Sequence, residues 1–556
     1  MELRYEIRRG AYYDSVVLMQ LQKGLAGLDG VDDAGVVMAT PANLELLAAG
    51  DLLPANTDAK PDDLLIVIRS ETEAAAQAAL AQVDELLKQK RGGGVTDYRP
   101  NSLAAAADAL PEAGWVLVSV PGRYAAGVAE EALDLGKNVF LYSDNVSLED
   151  EVKLKQKAQA KGLLVMGPDC GTAIINGVGL GFANRVRRGK IGIVAASGTG
   201  LQAVSAEVHN LGGGISHGLG TGGRDLKTAV GATTMRQGLA FLADDPDTEV
   251  IVLVSKPPSP EVATQLLVEA QNSGKPVVVN LIGYPSPARQ LGNLHFATSL
   301  SDTAEIAVQL SRAPGPKVVE LHKPFSGYVR GLFSGGTLAY EVLLGLQSIL
   351  NPLYSNIPIR PEQALADVME SQAHTILDLG EDVFTQGRLH PMMDNDLRIR
   401  RLRHETADPD VGMILLDVVL GEGSHPDPVP ELAPTIAGAT KAGKKVVAVV
   451  IGTDDDPQGL NEQIEALIAA GATVFATTTE MLDYVYNRVR PSADNALPPI
   501  QTTGFQGQVA AINVGVESFY DSLKAQGASA IQVEWRPPAG GNEKLMAILA
   551  KMKQKD

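Results

Sequence analysis

Residues 190–201, KIGIVAASGTGL, carry the strongest local signal in the chain and continue into the helical pattern QAVSAEVHN. Its apolar residues Ile191–Val194 predict a buried strand, and the small residues Ser197–Gly200 predict a tight turn that leads into a helix. Such a turn leaves backbone N–H groups uncovered at the positive end of the helix dipole, which favours an anion. The same residues also fit a purely structural turn in which Ser197 caps the helix. The pattern therefore predicts a strand–turn–helix unit and leaves both interpretations of the turn open.

Similar apolar runs, separated by helix-like stretches such as 72–90, extend in both directions from this unit. Short runs of Val, Ile and Leu between helices are typical of parallel sheets that are buried on both faces. We therefore predict an α/β fold with several parallel-sheet domains. The predicted strands are 64–68, 115–120, 138–142, 163–166, 191–194, 250–254, 277–281, 375–379, 411–416, 445–451, 473–476 and 509–513.

Three stretches rich in Gly or Pro predict domain boundaries. They are KRGGGVTDYRPNS at 90–102, APGPKVVELHKPF at 313–325 and PSADNALPPIQTTG at 491–504. Such segments favour linkers over packed elements. The resulting division is an N-terminal α/β domain at 1–100, three further domains at 105–188, 189–315 and 326–490, and a C-terminal tail at 505–556.

Composition excludes several classes of protein. With 47 basic and 66 acidic residues the 556-residue chain has a net charge of −19, which argues against nucleic acid as a partner. No apolar run reaches the roughly 18–20 residues that cross a bilayer, and the N-terminus lacks the features of a secretion signal. We therefore expect a cytoplasmic protein without a membrane partner.

The single cysteine, Cys170, excludes an intramolecular disulfide and a cysteine-built zinc site, and we predict no metal site. Without a histidine partner at a fixed spacing, Cys170 is interpreted as a small buried residue and not as a nucleophile. The Lys-containing P-loop pattern is absent, and no GxGxxG motif follows a strand with an acidic residue about 20 positions on. A nicotinamide cofactor is therefore not expected.

Several motifs occur together in one order. MGPDCGT at 166–172, GKIGIVAASGTGLQAVSAEV at 189–208, GLGTGGRDLK at 218–227 and EVIVLVSKPPS at 249–259 resemble the α subunit of succinyl-CoA synthetase. The second half resembles the CoA-ligase domain of the β subunit through GLFSGGTLAYEV, ILDLGEDVFTQGRLHPMMD and VGMILLDVVLGEGSHPDP, at 331–342, 376–394 and 411–428. With MATPAN near the N-terminus and WRPPAGGNEKL near the C-terminus, the chain resembles the FdrA family.

This resemblance implies a Rossmann-like, CoA-binding-type domain at 105–188, followed by two flavodoxin-like CoA-ligase domains at 189–315 and 326–490. It also implies a site built from both ligase halves, in which two helix N-termini hold one phosphate. The implied phosphate-binding residues are Ser197, Gly198 and Thr199 in the first half and Gly421, Gly423 and Ser424 in the second.

Other implied site residues surround these turns. Lys256 and Arg224 are interpreted as catalytic groups that hold phosphate or a carboxylate, and His425 as a proton shuttle. Substrate binding is assigned to Gly222, Gly223 and Arg388, and CoA binding to Pro121, Gly122, Asn145 and Pro168. For each polar residue an ordinary surface or capping role is the alternative.

The departures from the synthetases are informative. Their phosphorylated histidine loop has no counterpart in LIGYPSPARQLGNLHFATSL at 281–300, where His295 is interpreted as structural. Lys256 replaces the acidic turn that pairs with that histidine, and the ATP-grasp half of the β subunit is missing. The chain is therefore not expected to run the sequence from ATP through phosphohistidine to a thioester by itself.

The resemblance implies carbamoyl or acyl transfer through an acyl phosphate, with phosphate as co-substrate. The leading hypothesis is a subunit of oxamate carbamoyltransferase, which converts oxalurate and phosphate into oxamate and carbamoyl phosphate in anaerobic allantoin breakdown. An acyl-CoA synthetase that uses CoA on an unknown small acid is the first alternative, and a non-catalytic scaffold is the second. Companion subunits and self-association are expected.

Overall fold

The computed structural model describes residues 2–9, 15–55, 57–60, 63–89, 98–284, 286, 288–313, 325–347, 349–489 and 499–537. Most of the three predicted linkers, and the segment after 537, lie outside these ranges. The strands are β1 Glu2–Arg8, β2 Val31–Met38, β3 Leu64–Ser70, β4 Trp115–Val118, β5 Asn138–Leu141, β6 Val165–Met166, β7 Thr172–Ile175, β8 Val178–Gly181, β9 Arg188–Ala195, β10 Ile215–Gly220, β11 Val250–Ser255, β12 Val277–Leu281, β13 Gln290–Leu291, β14 Leu294–Phe296, β15 Tyr328–Phe333, β16 Leu353–Ser355, β17 His374–Asp378, β18 Val411–Val419, β19 Lys445–Ile451, β20 Thr473–Phe475, β21 Ala510–Val514 and β22 Ser529–Val533.

The helices alternate with these strands, as the sequence predicts. They are α1 Ser15–Ala26, α2 Pro41–Ala49, α3 Glu73–Ala81, α4 Val83–Gln89, α5 Leu103–Ala109, α6 Gly122–Asp134, α7 Leu148–Ala160, α8 Gly198–Asn210, α9 Thr233–Asp244, α10 Pro260–Gln271, α11 Leu300–Arg312, α12 Gly336–Leu346, α13 Asp382–Thr385, α14 Asp396–Ala407, α15 Pro428–Lys441, α16 Leu460–Ala469, α17 Thr478–Tyr486 and α18 Glu517–Ala525, with a 3₁₀ turn at Pro361–Gln363. The helices within the described ranges are all too short or too polar to cross a bilayer.

The α/β fold with several parallel sheets is confirmed. The chain divides into two compact units, residues 1–169 with 502–556 and residues 170–501. Unit 1 contains a three-stranded antiparallel sheet, β1-β3-β2, and a five-stranded parallel sheet, β22-β21-β4-β5-β6. Unit 2 contains one sheet for each ligase half.

The prediction of a C-terminal tail at 505–556 is wrong for the residues that form β21 and β22. Strand β21 pairs in parallel with β4, from Ala511 opposite Trp115 to Val514 opposite Val118, and β22 pairs with β21. The Trp115 indole N–H also donates to the Gly504 carbonyl at 2.8 Å. All residues of β21 are buried. Without β21, the strand β4 would form an open edge of the sheet. The Rossmann-like sheet is therefore made from two distant parts of the chain.

The predicted domain boundary between residues 188 and 189 is also wrong, because the structure divides the chain between residues 169 and 170. The hairpin of β7 and β8 pairs through Ile174 with Gly218 of β10, and so belongs to the first ligase sheet. In that sheet β10-β9-β11-β12-β14 is the flavodoxin-like order 2-1-3-4-5, with the β7–β8 hairpin at one edge and β13 at the other. His295 lies half-buried on β14, and this burial lowers the pKa of its imidazole.

The second ligase sheet has the order β16-β17-β15-β18-β19-β20. Without the edge strand β16, this is again the order 2-1-3-4-5, so the two ligase halves share one topology. In both halves the second strand lies on one side of the first strand and the third strand lies on the other. This change in strand order is the topological switch point, where α/β sheets of this kind bind ligands.

One buried histidine of the second sheet gives a pH-dependent contribution to stability. The His374 Nδ1 atom accepts from the Val329 N–H at 3.0 Å, and burial, together with the nearby Arg330 guanidinium, lowers the pKa of His374 to about 4. The unfolded chain takes up this proton near pH 6.5, whereas the native state remains neutral down to about pH 4. We therefore expect about 2 kcal/mol of unfolding free energy to be lost at this site as the pH falls from 6.5 to 4. The check is a comparison of the wild type with His374→Asn, which keeps an acceptor but cannot titrate, and parallel pH profiles for the two proteins would contradict the prediction.

Candidate functional site

The predicted turn of the first ligase half lies where β9 ends and α8 begins. Strand β9 lies between β10 and β11, so the turn is at the switch point of the sheet. The Ser197 Oγ atom accepts from the Gly200 N–H at 3.1 Å and caps the helix. A methyl group at Gly200 would lie 3.0 Å from a Val254 methyl, so glycine lets the helix pack closely on β11. The structural interpretation of this turn is therefore correct.

The cap uses only one of the N–H groups at this helix end. Within the described part of the chain, no hydrogen bond satisfies the N–H groups of Gly198 and Thr199, and Thr199 is exposed. Unsatisfied N–H groups at the start of a 13-residue helix can bind an anion. The turn thus combines a structural cap with an open anion-binding position.

Lys256 lies at the same edge of the sheet. It directly follows β11, whose Val254 carbonyl accepts from the Ala196 N–H at 2.9 Å. The side chain of Lys256 is exposed, and no carboxylate among the described residues forms an ion pair with it. The structure therefore places Lys256 directly after the strand that pairs with β9.

The glycine loop at 221–225 follows β10, on the other side of β9. The Thr221 N–H donates to the Ala195 carbonyl at 2.9 Å, which attaches the loop to the end of β9. Buried Asp225 accepts from the N–H groups of Thr234 and Met235 at 3.2 and 2.9 Å, and so caps α9. Gly222, Gly223 and half-buried Arg224 are thus held at the same sheet edge as Ser197.

Cys170 is buried, as predicted. A methyl group at Gly220 would lie only 2.4 Å from its sulfur, so the thiol fills the space that this glycine leaves at the end of β10.

In the second half, the prediction of a helix N-terminus at 421–425 is wrong. These residues form a turn after β18, and α15 begins only at Pro428 with Asp427 at the N-cap. The helix that directly follows a first strand is α12, which begins at Gly336 after Ser334 and Gly335. The sequence signal for it was present, because FSGGTL at 333–338 parallels ASGTGL at 196–201.

The start of α12 already holds an anion of the protein itself. Fully buried Asp417 accepts from the Ser334 N–H at 2.8 Å, the Ser334 hydroxyl at 2.9 Å and the Gly335 N–H at 3.1 Å. Its Oδ1 atom is also 3.2 Å from the buried guanidinium of Arg398. The carboxylate therefore binds the N-cap of α12 and the residue before it, whereas the N–H groups that are open in the first half belong to the first two residues of α8.

The two halves differ at equivalent positions. Counted back from the N-caps Ser197 and Gly335, Ala195 corresponds to Phe333. Ala195 pairs with Val254, and the register that pairs Leu332 with Leu416 puts Phe333 opposite Asp417, so Val254 corresponds to Asp417. The Ser255 hydroxyl donates to the carbonyl of Lys256 at 2.6 Å and places no charge at the turn. The second half therefore has a carboxylate bound just before its helix, and Val254 and Ser255 provide no such charge in the first half.

The predicted turn at 421–425 is fixed by Gln458. This side chain accepts from the Gly421 N–H at 3.1 Å and donates to the carbonyls of Gly421 and His425 at 2.9 and 3.1 Å. Gly423 has a positive φ of 79° and open space around it, and Ser424 is partly buried. Within the described ranges no hydrogen bond or ion pair joins this turn to residues 197–199.

His425 contacts the backbone of Asp427 and the side chain of Glu431. Its Nδ1 atom accepts from the Asp427 N–H at 3.1 Å, and its Nε2 atom lies 3.2 Å from Glu431 on α15. A role as proton shuttle stays a prediction. Arg388 is exposed in the segment after α13, two residues before His390.

The four predicted CoA-binding residues meet at the carboxyl edge of the five-stranded sheet in unit 1. A methyl group at Gly122 would lie 2.1 Å from the Asp144 carbonyl oxygen, so the start of α6 touches the segment that contains Asn145. The Asp169 N–H donates to the Ser143 carbonyl at 3.1 Å, which attaches the loop that contains Pro168 to the same segment. Pro121 is the N-cap of α6 and provides no side-chain cap.

This edge also contains the switch point of the sheet. The chain leaves β4 toward β5 on one side, whereas β21 and β22 lie on the other. The Val516 N–H donates to the Ser119 hydroxyl at 2.8 Å, and Gly515, with φ of 124°, lies directly against Ser119. A ligand crevice between β4 and β21 is the expected consequence of this strand order.

We expect Gly122→Ala to damage this edge. The added methyl group would overlap the Asp144 carbonyl, so we expect a loss of about 2 kcal/mol in unfolding free energy and a loss of any CoA binding. Gly127→Ala, on the same helix with open space around it, should instead stabilise the protein by about 0.5–1 kcal/mol. Thermal unfolding of the two variants checks this, and equal stability of both would contradict it.

The comparisons with known proteins agree with the fold. Residues 332–485 match the family described as CoA-ligase, and residues 1–100 match the one described as "AllF, heavy metal-associated domain". Residues 1–100 contain neither cysteine nor histidine, so this domain lacks the thiolate and imidazole ligands that heavy metals prefer. No group of three metal-ligating side chains occurs among the described residues.

One relative and one solved structure match parts of the chain at low sequence identity. The α subunit of malate–CoA ligase from Methylorubrum extorquens is 28% identical over 195 residues, which cover 34% of this chain and 64% of that protein, less than two thirds of its length. Acetyl-coenzyme A synthetase 1 of Ca. Korarchaeum cryptofilum, solved with phosphate and ADP, is 17% identical over 67% of this chain and 81% of that one, with a TM-score of 0.30.

The uncharacterized protein YahF of Escherichia coli is 42% identical over 500 residues, which cover 86% of this chain and 97% of YahF. The motifs of both ligase halves, the two flavodoxin-like sheets and the CoA-ligase match agree with this similarity. The chain therefore belongs to the family of YahF, within the succinyl-CoA synthetase-like CoA-ligase superfamily.

Proposed function

We propose that the chain transfers a carbamoyl or acyl group through an acyl phosphate, as a subunit of an oxamate carbamoyltransferase in the cytoplasm. In this reaction a phosphate oxygen attacks the carbamoyl carbon of oxalurate. The bond from that carbon to the nitrogen of the oxamate part breaks, and the nitrogen takes up a proton. The products are carbamoyl phosphate and oxamate.

The observation that carries this proposal is the open turn at the start of α8. The free N–H groups of Gly198 and Thr199 and the unpaired ammonium of Lys256 are the groups that a bound phosphate needs. Fixed N–H donors also stabilise the negative charge that develops on oxygen in the transition state. Arg224, on the neighbouring loop, is the cation that we assign to the substrate carboxylate.

The chemistry also agrees with what the sequence retains and lacks. Phosphorolysis uses inorganic phosphate directly, so it requires neither a phosphohistidine nor an ATP-grasp domain. Lys256 stands at the position where the synthetases have an acidic turn. An ammonium group there can pair with a phosphate oxygen, whereas an acidic group pairs with a protonated histidine. Oxalurate carries both a carboxylate and an amide, and companion subunits would complete the site around it.

The experiment is an assay of oxalurate cleavage by the purified full-length chain, alone and with the products of neighbouring genes. Carbamoyl phosphate should form only when phosphate and oxalurate are both present. Its absence under every combination of subunits would overturn the proposal.

A second candidate is an acyl-CoA synthetase that acts on a small acid. Two observations favour it: the 3-2-1-4-5 order of the five-stranded sheet, and the similarity to a subunit of malate–CoA ligase. Calorimetric titration with CoA separates the candidates. Saturable binding that Gly122→Ala removes and Gly127→Ala preserves would support the synthetase, and no heat at millimolar CoA would support carbamoyl transfer.

A further inference from the structure

A second polar centre lies in the second ligase half, at the carboxyl end of β17. Asp378 ends this strand and is only 5% exposed. Its Oδ1 atom accepts from the Gly380 N–H at 2.8 Å. The other oxygen, Oδ2, has no hydrogen-bond partner among the described residues, and it faces Gly336, where an added methyl group would lie 2.6 Å from it. Oδ2 is not among the fully buried side-chain oxygens of the described residues, so it remains accessible to a ligand.

His390 lies beside this carboxyl group. A methyl group at Gly380 would be 2.9 Å from Nε2 of His390, 2.9 Å from the Ser334 carbonyl oxygen and 3.1 Å from Oδ1 of Asp378, so these three atoms surround one point. The His390 Nδ1 atom accepts from the Met392 N–H at 3.3 Å, so in the neutral ring the proton is on Nε2. No described residue accepts a hydrogen bond from Nε2. The centre therefore presents one free acceptor and one free donor.

The surroundings favour a neutral ligand group over an anion. Burial raises the pKa of the Asp378 carboxyl, and the nearby carboxylates of Glu381 and Asp417 contribute to the same shift. A ligand carboxylate would add a further negative charge at this point. A primary amide is neutral, and its N–H and C=O groups match one acceptor beside one donor.

We propose that Asp378 and His390 form a binding site for a primary amide, in which Oδ2 accepts from the ligand N–H and the Nε2 proton is donated to the ligand carbonyl. This inference rests on the proposed function, since it assigns the amide end of a small acid–amide substrate to the second ligase half. It distinguishes this chain from ligases that take simple carboxylic acids.

The experiment compares two isosteric probes, oxamate and oxalate, by calorimetric titration of the full-length chain at pH 7. Wild type should bind oxamate at least about tenfold more tightly than oxalate, because oxalate places a carboxylate where oxamate has its amide. Asp378→Asn retains an acceptor for Gly380 but turns an N–H toward the ligand, so the preference should disappear or reverse. Asp382→Asn removes a charge from an exposed residue of α13 that is not among the groups that shift the pKa of Asp378, and it should leave the preference unchanged.

The outcomes separate this inference from the proposed function. Equal binding of the two probes to wild type, an unchanged preference in Asp378→Asn, or no oxamate binding would overturn the amide site even if carbamoyl phosphate forms. An Asp378-dependent preference without carbamoyl phosphate in any assay would retain the amide site and overturn the carbamoyltransferase.

Discussion

Lys256→Met is expected to lower kcat/KM for phosphate by about 10- to 100-fold in the oxalurate assay. Lys256 directly follows β11, the strand that pairs with β9, so its ammonium group can reach the turn before α8 and neutralise charge on the bound phosphate. Loss of one charged donor at such a position costs this much in comparable sites. Steady-state kinetics with varied phosphate measures the effect, and most of it should appear in KM if Lys256 holds phosphate equally in the ground and transition states.

The matched control is Lys227→Met, an exposed lysine in the loop after β10, which should retain wild-type kinetics. Lys256→Arg should recover part of the activity because it retains the charge. Unchanged kinetics in Lys256→Met would favour the alternative in which this chain is a scaffold within the complex.

Asp417→Ala is expected to cost about 3–5 kcal/mol of unfolding free energy. The carboxylate accepts hydrogen bonds from Ser334 and Gly335, and its removal leaves the buried guanidinium of Arg398 without its negative partner. An unpaired buried charge is among the largest penalties that a single substitution produces. Chemical unfolding, followed through the transition of the ligase half, measures the loss.

Because Asp417→Ala can fail to fold, the test includes Asp417→Asn combined with Arg398→Met. Removal of both charges should return most of the lost stability, since a buried pair is often replaceable by neutral side chains. If the double variant is less stable than Asp417→Ala, this carboxylate does not act as the internal counter-ion of Arg398.

Much of the architecture could be predicted from the sequence. The apolar runs at β9, β11 and β12 in one half, and at β18 and β19 in the other, have the Val and Ile content of buried parallel strands, and all of them occur. Strands with polar or mixed sequences escaped prediction. The charged pattern of β1 and the Gly-containing pattern ISHGLG of β10 do not resemble buried strands, and their neighbours in the sheet determine their conformation.

The sequence predicts which residues lie at the site's edge of the sheet, but it does not predict the hydrogen bonds that they form. The Ser197 turn and Lys256 could be identified because short motifs encode them. The role of Asp417 could not, because it depends on the register between β15 and β18. The same limit explains the misplaced helix start in the second half, where glycines at 421–423 suggested a turn of the same kind as Ser197–Gly200.

The joining of β21 to β4 affects how the protein is made. A ribosome releases β4, β5 and β6 long before it synthesises residues 510–533, and all of residues 170–501 emerge in between. During that interval the β4 edge lacks its neighbour, and the incomplete sheet exposes apolar surface that can associate with other nascent chains. Strands β21 and β22 therefore complete this domain late in synthesis. Chaperones that bind open strand edges should influence the yield of native protein more than its final stability.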